Sequence, residues 1–385
     1  MMQAVFWVSV SWVLGVYLGY PLLLKALATI RTKPVRKQAQ TDEALPFVSI
    51  LIAAYNEEDV IEATLRNKLS QAYPKDKLEI LVVSDESTDR TDEIVQRVSA
   101  ESDIPVRLFR QSPRQGKTAG LNLLVPHAQG DILVFSDANS HYAPDAVRTL
   151  VQNFADPEVG YVTGKMVYTH PDGSLVGDGC SAYMRYENRL RELETLTGSI
   201  VGVDGGIDAM RKALYTELRP DQLPDFVQPL HVVDKGYRVI YEPGAILKEA
   251  ALGEETREFR MRVRVSLRAM WALRDMAHLL NPLVSGGYSY RLWFHKVLRY
   301  LVFIPMALAF LASLLLSTVS MGWLVIFALQ LFGYLLAYAG TDGYFASARP
   351  VRFLSYFVLI NAACAVAFWR FLKGEKQVIW QPRSG

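Results

Sequence analysis

Three carboxylates in one stretch of this chain are placed for chemistry. Asp85 ends the run Leu81-Val82-Val83-Ser84, Asp137 ends Ile132-Leu133-Val134-Phe135-Ser136, and Asp225 lies in Leu223-Pro224-Asp225-Phe226. The first two follow β-branched apolar runs, the pattern of a buried strand. In an open α/β sheet, ligands bind beyond the carboxyl ends of the strands. An acid placed there faces a nucleotide, a divalent cation or a substrate hydroxyl rather than the core.

Each group suits a particular task. Asp137 and Asn139 offer two oxygen ligands at i and i+2 for a hard cation, Mg²⁺ or Mn²⁺, that would bridge a pyrophosphate. Asp85 can accept the imide N–H of a uracil; its alternative role, shared with Asp89, is to cap the next helix. Ala54, Tyr55, Asn56 and Glu57 can hydrogen-bond a base or ribose, or serve only as a turn and helix start. Lys117 follows Gln115-Gly116, and a lysine beside a glycine turn at a helix N-terminus suits a phosphate. The P-loop spacing is absent, and a solvated lysine is the other reading. Gly205 and Gly206 close a small-residue stretch, 198–206, that lets an acceptor approach the backbone or forms a plain turn. Asp225 can take the proton of an acceptor hydroxyl or cap the helix after it.

The elements that must carry these residues follow from periodicity. Residues 47–53, 78–83, 106–109 and 132–135 read as strands. Residues 57–71, 88–100 and 117–127 read as helices, the second capped by Thr88 or Asp89. Such alternation predicts an α/β domain with a mostly parallel sheet and helices on both faces. A long amphipathic helix, 255–280, follows. Its Arg262 and Arg264 mix with Phe259, Val263, Leu267 and Trp271. One face suits anionic lipid, and one arginine can hold a diphosphate.

The 385 residues carry a net charge of +2 and 51% apolar side chains. The charge is featureless and no basic stripe suggests nucleic acid. Cys180 and Cys364 are too far apart in sequence for a zinc motif or a disulfide framework. The apolar excess is localised in 5–30, 297–317, 323–338 and 353–371, four expected spans of which the last is the weakest. Arg31, Lys33, Arg36 and Lys37 follow the first span, which reads as a retained anchor rather than a signal peptide. By the positive-inside rule the next block is cytoplasmic. If the last segment spans, Arg370, Lys373 and Lys376 lie outside, against that rule. The expected organisation is an N-terminal transmembrane helix (1–30), a basic linker (31–45), a cytoplasmic catalytic domain (46–254), amphipathic interfacial helices (255–290) and a C-terminal transmembrane region (291–385).

Taken in order, several motifs resemble the membrane-bound family 2 glycosyltransferases of bacterial exopolysaccharide and cell-surface polysaccharide synthesis. They are Val48-Ser49-Ile50-Leu51-Ile52-Ala53-Ala54-Tyr55-Asn56-Glu57-Glu58, Val82-Val83-Ser84-Asp85, Gly116-Lys117-Thr118-Ala119-Gly120-Leu121-Asn122, Phe135-Ser136-Asp137-Ala138-Asn139, Pro224-Asp225-Phe226 and Gly236-Tyr237-Arg238-Val239-Ile240-Tyr241-Glu242-Pro243. The resemblance implies a GT-A fold, a nucleotide-sugar donor and an inverting single displacement. It implies that Ala54, Tyr55, Asn56, Glu57, Asp85, Lys117, Asp137 and Arg264 bind the donor, and that Asp137 with Asn139 holds Mg²⁺ or Mn²⁺. Asp225 is then the catalytic base, and Gly205, Gly206 and Arg262 lie in the acceptor region. Three positions depart from the pattern. Asn139 replaces the second acid of Asp-x-Asp, and Met261 and Val265 replace the glutamine and tryptophan of Gln-x-x-Arg-Trp. The expected activity is transfer from a UDP-sugar to a lipid-linked or growing glycan acceptor by a multi-pass protein of the inner (plasma) membrane, in contact with membrane lipid. The alternatives are a processive synthase that also translocates its polymer and a non-catalytic nucleotide-binding membrane subunit.

Overall fold

The computed structural model describes residues 1–37, 41–169, 179–250, 255–340 and 348–376. Along the chain they form α1 (Met2–Ile30), β1 (Val48–Ala54), α2 (Ile61–Leu69), β2 (Leu78–Ser84), α3 (Thr91–Glu101), β3 (Val106–Arg110), α4 (Lys117–Leu124), β4 (Ile132–Asp137), β5 (His141–Tyr142) and α5 (Ala146–Val151). There follow β6 (Val159–Thr169), α6 (Gly179–Thr197), β7 (Asp208–Arg211), α7 (Pro224–Asp234), β8 (Arg238–Ala250) and α8 (Glu255–Asp275). The last helices are α9 (Gly287–Tyr300), α10 (Phe303–Leu316), α11 (Met321–Ala339) and α12 (Arg349–Leu372). The chain divides into two compact units, one drawn from Met1–Thr32, Val176–Leu193 and Leu252–Lys376, the other from Lys33–Leu175 and Glu194–Ala251.

The second unit is built on an eight-stranded sheet of order β3-β2-β1-β4-β7-β6-β8-β5. Successive side chains of a strand point to opposite faces, so its apolar runs feed two cores. Ile50, Ile52, Ile80, Val82 and Val134 pack on one face with Ile61 and Leu65 of α2 and Val95 and Val98 of α3. Leu51, Leu81, Val83, Leu133 and Phe135 pack on the other with Leu121 and Leu124 of α4 and Val232 of α7. Helices on both faces explain why these strands read as unbroken apolar runs.

The sheet is parallel from β3 through β4, as the alternation predicts. Beyond β4 it is mixed. β7 runs antiparallel to β4 and β6, β5 runs antiparallel to β8, and β6 and β8 are parallel. The turn after β1 also differs from the expectation of a helix from residue 57. The backbone N–H groups of Asn56, Glu57 and Glu58 donate to Ser87 Oγ, Thr91 Oγ1 and Asp89 Oδ2. These bonds hold the segment as a loop, and α2 begins at Ile61 with Val60 at its N-cap. The cap position of α3 is Arg90, not Thr88 or Asp89; Asp89 instead accepts the N–H of Thr91 at 3.0 Å.

In the other unit, three helices among the described residues are long and apolar enough to cross a membrane: Met2–Ile30, Met321–Ala339 and Pro350–Leu372. The segment expected as a span at 297–317 is bent near its start. Gly287–Tyr300 and Phe303–Leu316 meet at 54°, a fourth span if the bent pair counts as one. The amphipathic helix α8 buries Val263, Leu267 and Met270 against Ala363 and Ala367, with Phe368 and Phe371 beside them. Part of the apolar face read as lipid-facing is therefore covered by α12. Glu187 pairs with His295 at 3.1 Å and with Arg299 in the same unit.

Candidate active site

Asp137 is the last residue of β4, where the strand's carboxyl end opens to solvent. Lys117 opens α4, and its ammonium lies 2.7 Å from Asp137 Oδ1 and 3.5 Å from Asp225 Oδ1. Three residues far apart in sequence thus meet at one point. Lys117 is only 24% exposed, so it is not the solvated lysine of the plain reading. Desolvation pulls its pKa down, but the charges of Asp137 and Asp225 outweigh that and raise it.

Helix α4 also brings Asp225 into place. Thr118 Oγ1 donates to the carbonyl of Gln222, and the Asn122 amide donates to that of Leu218. Asn122 Oδ1 accepts from the Tyr215 hydroxyl and the Leu218 N–H. The loop entering α7 is therefore fastened to the helix that carries Lys117. Asp225 does not precede α7 or cap it. Leu223 holds the cap position, Pro224 opens the helix, and Asp225 lies in its first turn.

Gly205 and Gly206 join the two carboxylates. Both have φ of +71°, a conformation that favours glycine. A Cβ on Gly205 would stand 2.8 Å from Asp225 Oδ2. One on Gly206 would stand 3.2 Å from Asp137 Oδ2 and 3.1 Å from Ser140 Oγ. The pair is a close approach of backbone to both acids, more than a plain turn.

Asp85 does not take the capping role that was its alternative reading. It is 4% exposed and accepts from the backbone N–H groups of Gln115 and Gly116 at 2.9 and 3.1 Å, from Arg114 Nε at 3.2 Å and from Gln111 Nε2. It caps no part of α3. It sits instead at the N-terminus of α4, the position expected to receive a phosphate, where backbone N–H groups favour an anion. Arg114 in turn lays its guanidinium 3.4 Å from the centre of the Tyr55 ring. Asn56 adopts a positive φ of 52° and accepts the Thr88 N–H at 2.8 Å. Ala54 accepts the Asp85 N–H through its carbonyl at 2.8 Å. Residues 54–58, 85–91 and 111–116 therefore form one interlocked rim. Glu57 contributes to it through its backbone bond to Thr91.

Three buried groups here have no motif to betray them. Asp208 on β7 is fully buried, and burial together with the charge of Asp225 pushes it up to about 8. Lys68 on α2 is 0% exposed, and burial lowers its pKa well below that of a free lysine while the charge of Asp137 opposes the shift. The Ser140 hydroxyl is buried without a hydrogen-bond partner. An apolar helix face with one lysine, or a short strand with one acid, gives no sequence signal of a site.

Arg262 and Arg264 lie on α8, in the other unit. Arg262 is paired with Glu258 at 2.7 Å and donates to the Tyr356 hydroxyl at 2.6 Å. Arg264 is partly buried, and desolvation lowers its pKa.

Residues 49–219 match the family described as Glycosyl transferase family 2. Over 207 residues the chain is 30% identical to a beta-monoglucosyldiacylglycerol synthase of Nostoc sp., covering 53% of this chain and 44% of that protein. Over 246 residues it is 27% identical to a poly-beta-1,6-N-acetyl-D-glucosamine synthase of Staphylococcus aureus, covering 62% and 57%. The chain spans about half the length of the curated relatives it matches. A solved mannosyltransferase of Pyrobaculum calidifontis, in complex with GDP-Man and Mn²⁺, shares the fold with a TM-score of 0.78 at 23% identity, over 97% of this chain and 100% of that one. The chain thus resembles the family 2 glycosyltransferases over residues 49–219 and has a GT-A-like fold, with candidate transmembrane helices before and after that stretch in the sequence. Among its relatives are a glycolipid synthase and a polysaccharide synthase.

Proposed function

We propose that this protein is an inverting transferase that moves a sugar from a nucleotide-sugar donor, UDP-linked by the reading of Asp85, to a lipid-linked or growing glycan acceptor. The observation that carries this is the meeting of Asp137 and Asp225 on Lys117, with Gly205 and Gly206 against both acids. The arrangement supports Asp225 as a base acting beside a diphosphate held near Asp137 and Lys117.

A divalent ion fits the donor set. Asp137 and Asn139 are hard oxygen ligands, the buried Ser140 hydroxyl lacks a partner, and an ammonium already stands on Asp137. No group of three or more His, Cys, Asp or Glu among the described residues could hold a metal. Mg²⁺ and Mn²⁺ sites often use one or two carboxylates and complete the shell with substrate phosphates. When bound, the cation neutralises charge on the leaving diphosphate.

In the reaction, the Asp225 carboxylate takes the proton of the acceptor hydroxyl. The acceptor oxygen forms its bond to the anomeric carbon as the bond from that carbon to the diphosphate oxygen breaks. The nucleoside diphosphate leaves with the electron pair, and the configuration inverts. Lys117 shifts from the two acids to the departing phosphate. Asp85, Tyr55, Asn56, Glu57 and the carbonyl of Ala54 line the nucleoside side. For Asp85 to read a uracil imide, Arg114 or Gln111 releases one of its oxygens. The roles of Arg264 at the diphosphate and Arg262 near the acceptor rest on the sequence resemblance. The candidate spans support a multi-pass protein of the plasma membrane with the sheet unit in the cytoplasm.

The test is nucleoside diphosphate release by the full-length protein in detergent. UDP-sugars and GDP-sugars are compared with lipid and glycan acceptors, with and without Mn²⁺ or Mg²⁺. Turnover specific to one donor, reduced about 10²–10⁴-fold by Asp225→Asn as for loss of a general base, supports the reading. Turnover unchanged in that variant removes Asp225 as the base. Product length separates single transfer from processive synthesis.

A further inference from the structure

Behind the Asp137 turn lies a lysine with no part in the reaction as written. Lys68, in the last turn of α2, is 0% exposed. Its Nζ donates to the Ser140 carbonyl at 2.5 Å and to Asn67 Oδ1 at 3.1 Å. It stands 3.5 Å from the centre of the Tyr142 ring, a cation–π distance. No carboxylate pairs with it among the described residues. A buried amine with neither solvent nor an acid is costly. Its place is therefore justified by what it holds.

What it holds is the turn between β4 and β5. Ser140 donates its N–H to the Asp137 carbonyl at 3.3 Å. Asn67, the neighbour of Lys68, clasps the backbone of Tyr142 from both sides: its Oδ1 accepts the Tyr142 N–H at 2.8 Å and its amide donates to the Tyr142 carbonyl at 2.9 Å. The Tyr142 hydroxyl lies 2.8 Å from the Phe135 carbonyl and 2.7 Å from the Gly206 carbonyl, its single proton shared between the two acceptors. The same clasp thus reaches the end of β4 and the glycine turn that touches both catalytic-site carboxylates.

We propose that Lys68, with Asn67, is a positioning residue that holds the 137–142 turn so that Asp137 and Asn139 meet a divalent cation and the donor diphosphate. The metal part of this inference rests on the function proposed above. The sign of the expected effect separates geometry from charge. If charge alone matters, replacing Lys68 by a neutral side chain strengthens cation binding where the amine is protonated and leaves it unchanged where burial keeps the amine neutral. If Lys68 acts by holding the turn, cation binding weakens. Loss of a group that orients metal ligands costs about 10–100-fold in affinity.

The experiment compares full-length wild type with Lys68→Met in detergent. Mn²⁺ binding in the presence of UDP is read by electron paramagnetic resonance, and hydrogen exchange is followed across 137–142. The expected result is Mn²⁺ affinity lower by about tenfold, with faster exchange in that segment and an unfolding temperature that shows the variant folded. Affinity unchanged or increased, with exchange unchanged, overturns the proposal. If Lys68→Met does not fold, Asn67→Ala keeps the lysine and removes the clasp. The same two changes are then required, and their absence overturns the proposal. A wild type that binds no Mn²⁺ with UDP removes the metal reading alone. The tether is then decided by exchange across 137–142, faster in the variant if it stands and unchanged if it does not.

Discussion

Lys117 places its ammonium 2.7 Å from the Asp137 carboxylate, at the mouth of the sheet where a divalent cation and a diphosphate are expected to meet. One cation therefore occupies the spot where another is proposed to bind. Lys117→Met should act in two directions. Mn²⁺ binding without nucleotide should tighten, because the competing ammonium is gone. Transfer should fall by about 10–100-fold in kcat/KM, the value of a hydrogen bond to a charged group at about 1.5–3 kcal/mol. Titration of Mn²⁺ and steady-state kinetics on the same preparation read both. Weaker Mn²⁺ binding in the variant would exclude the competition.

Gly205 gives a test of close approach. Alanine there carries the strain of a left-handed φ, about 1–2 kcal/mol, and drives a methyl to 2.8 Å from Asp225 Oδ2. Gly236 also has a positive φ, +84°, but a Cβ there meets nothing within 4 Å. Gly205→Ala and Gly236→Ala should share the backbone cost. Only the first should lose most of its turnover. Measurement of unfolding temperature and kcat for both separates the two effects, and equal loss of turnover in both would remove Gly205 from the site.

Asp208 predicts a pH dependence of stability. Its pKa is pushed up to about 8 by burial and by the Asp225 charge, against about 3.9 in an unfolded chain. The folded protein therefore binds the extra proton between these values. Stability from this group is full below about pH 4 and is lost as pH rises through about 8. Asp208→Asn removes the titration. The unfolding temperature of the wild type relative to this variant should decline from pH 6 to pH 9, and a difference constant over that range would refute the assignment.

Asp85 is expected to support the rim as much as the nucleotide. It accepts four of the chain's own donors, from Gln111, Arg114, Gln115 and Gly116. Asp85→Asn replaces one acceptor oxygen by an NH₂ facing backbone donors, at a cost of about 1–3 kcal/mol for buried groups left unpaired. Hydrogen exchange across 111–116 should accelerate even without donor present. Exchange unchanged, with only the donor KM raised, would make Asp85 a pure ligand contact.

Much of the fold is legible in the sequence because its signals are local. The apolar runs that become β1, β2 and β4 need two covered faces, and the intervening 3.6-residue periodicities supply the helices that cover them. The parallel half of the sheet follows from that alternation. The antiparallel pairings beyond β4 do not, because β7 has only four residues and β5 two, too short for a period to register. Likewise, the hydropathy of 297–317 reads as a span, while the 54° bend before Phe303 depends on packing that no window of sequence contains.

The site divides in the same way. Asp85, Asp137, Lys117 and Asp225 could be picked out one by one, since each follows an apolar run or lies in the first turn of a helix, and a side chain at such a boundary can face a ligand. The sequence by itself determined which residue types stand at those boundaries. Only the tertiary structure decided their partners. It put Lys117 on both acids, turned Asp85 onto the N-terminus of α4, drew Gly205 and Gly206 against the carboxylates and buried Lys68 and Asp208 behind them. The physical reason is range. A strand end or a helix start is set by its neighbours in the chain, whereas an ion pair or a shifted pKa is set by groups that folding brings within a few ångströms from distant parts of the sequence.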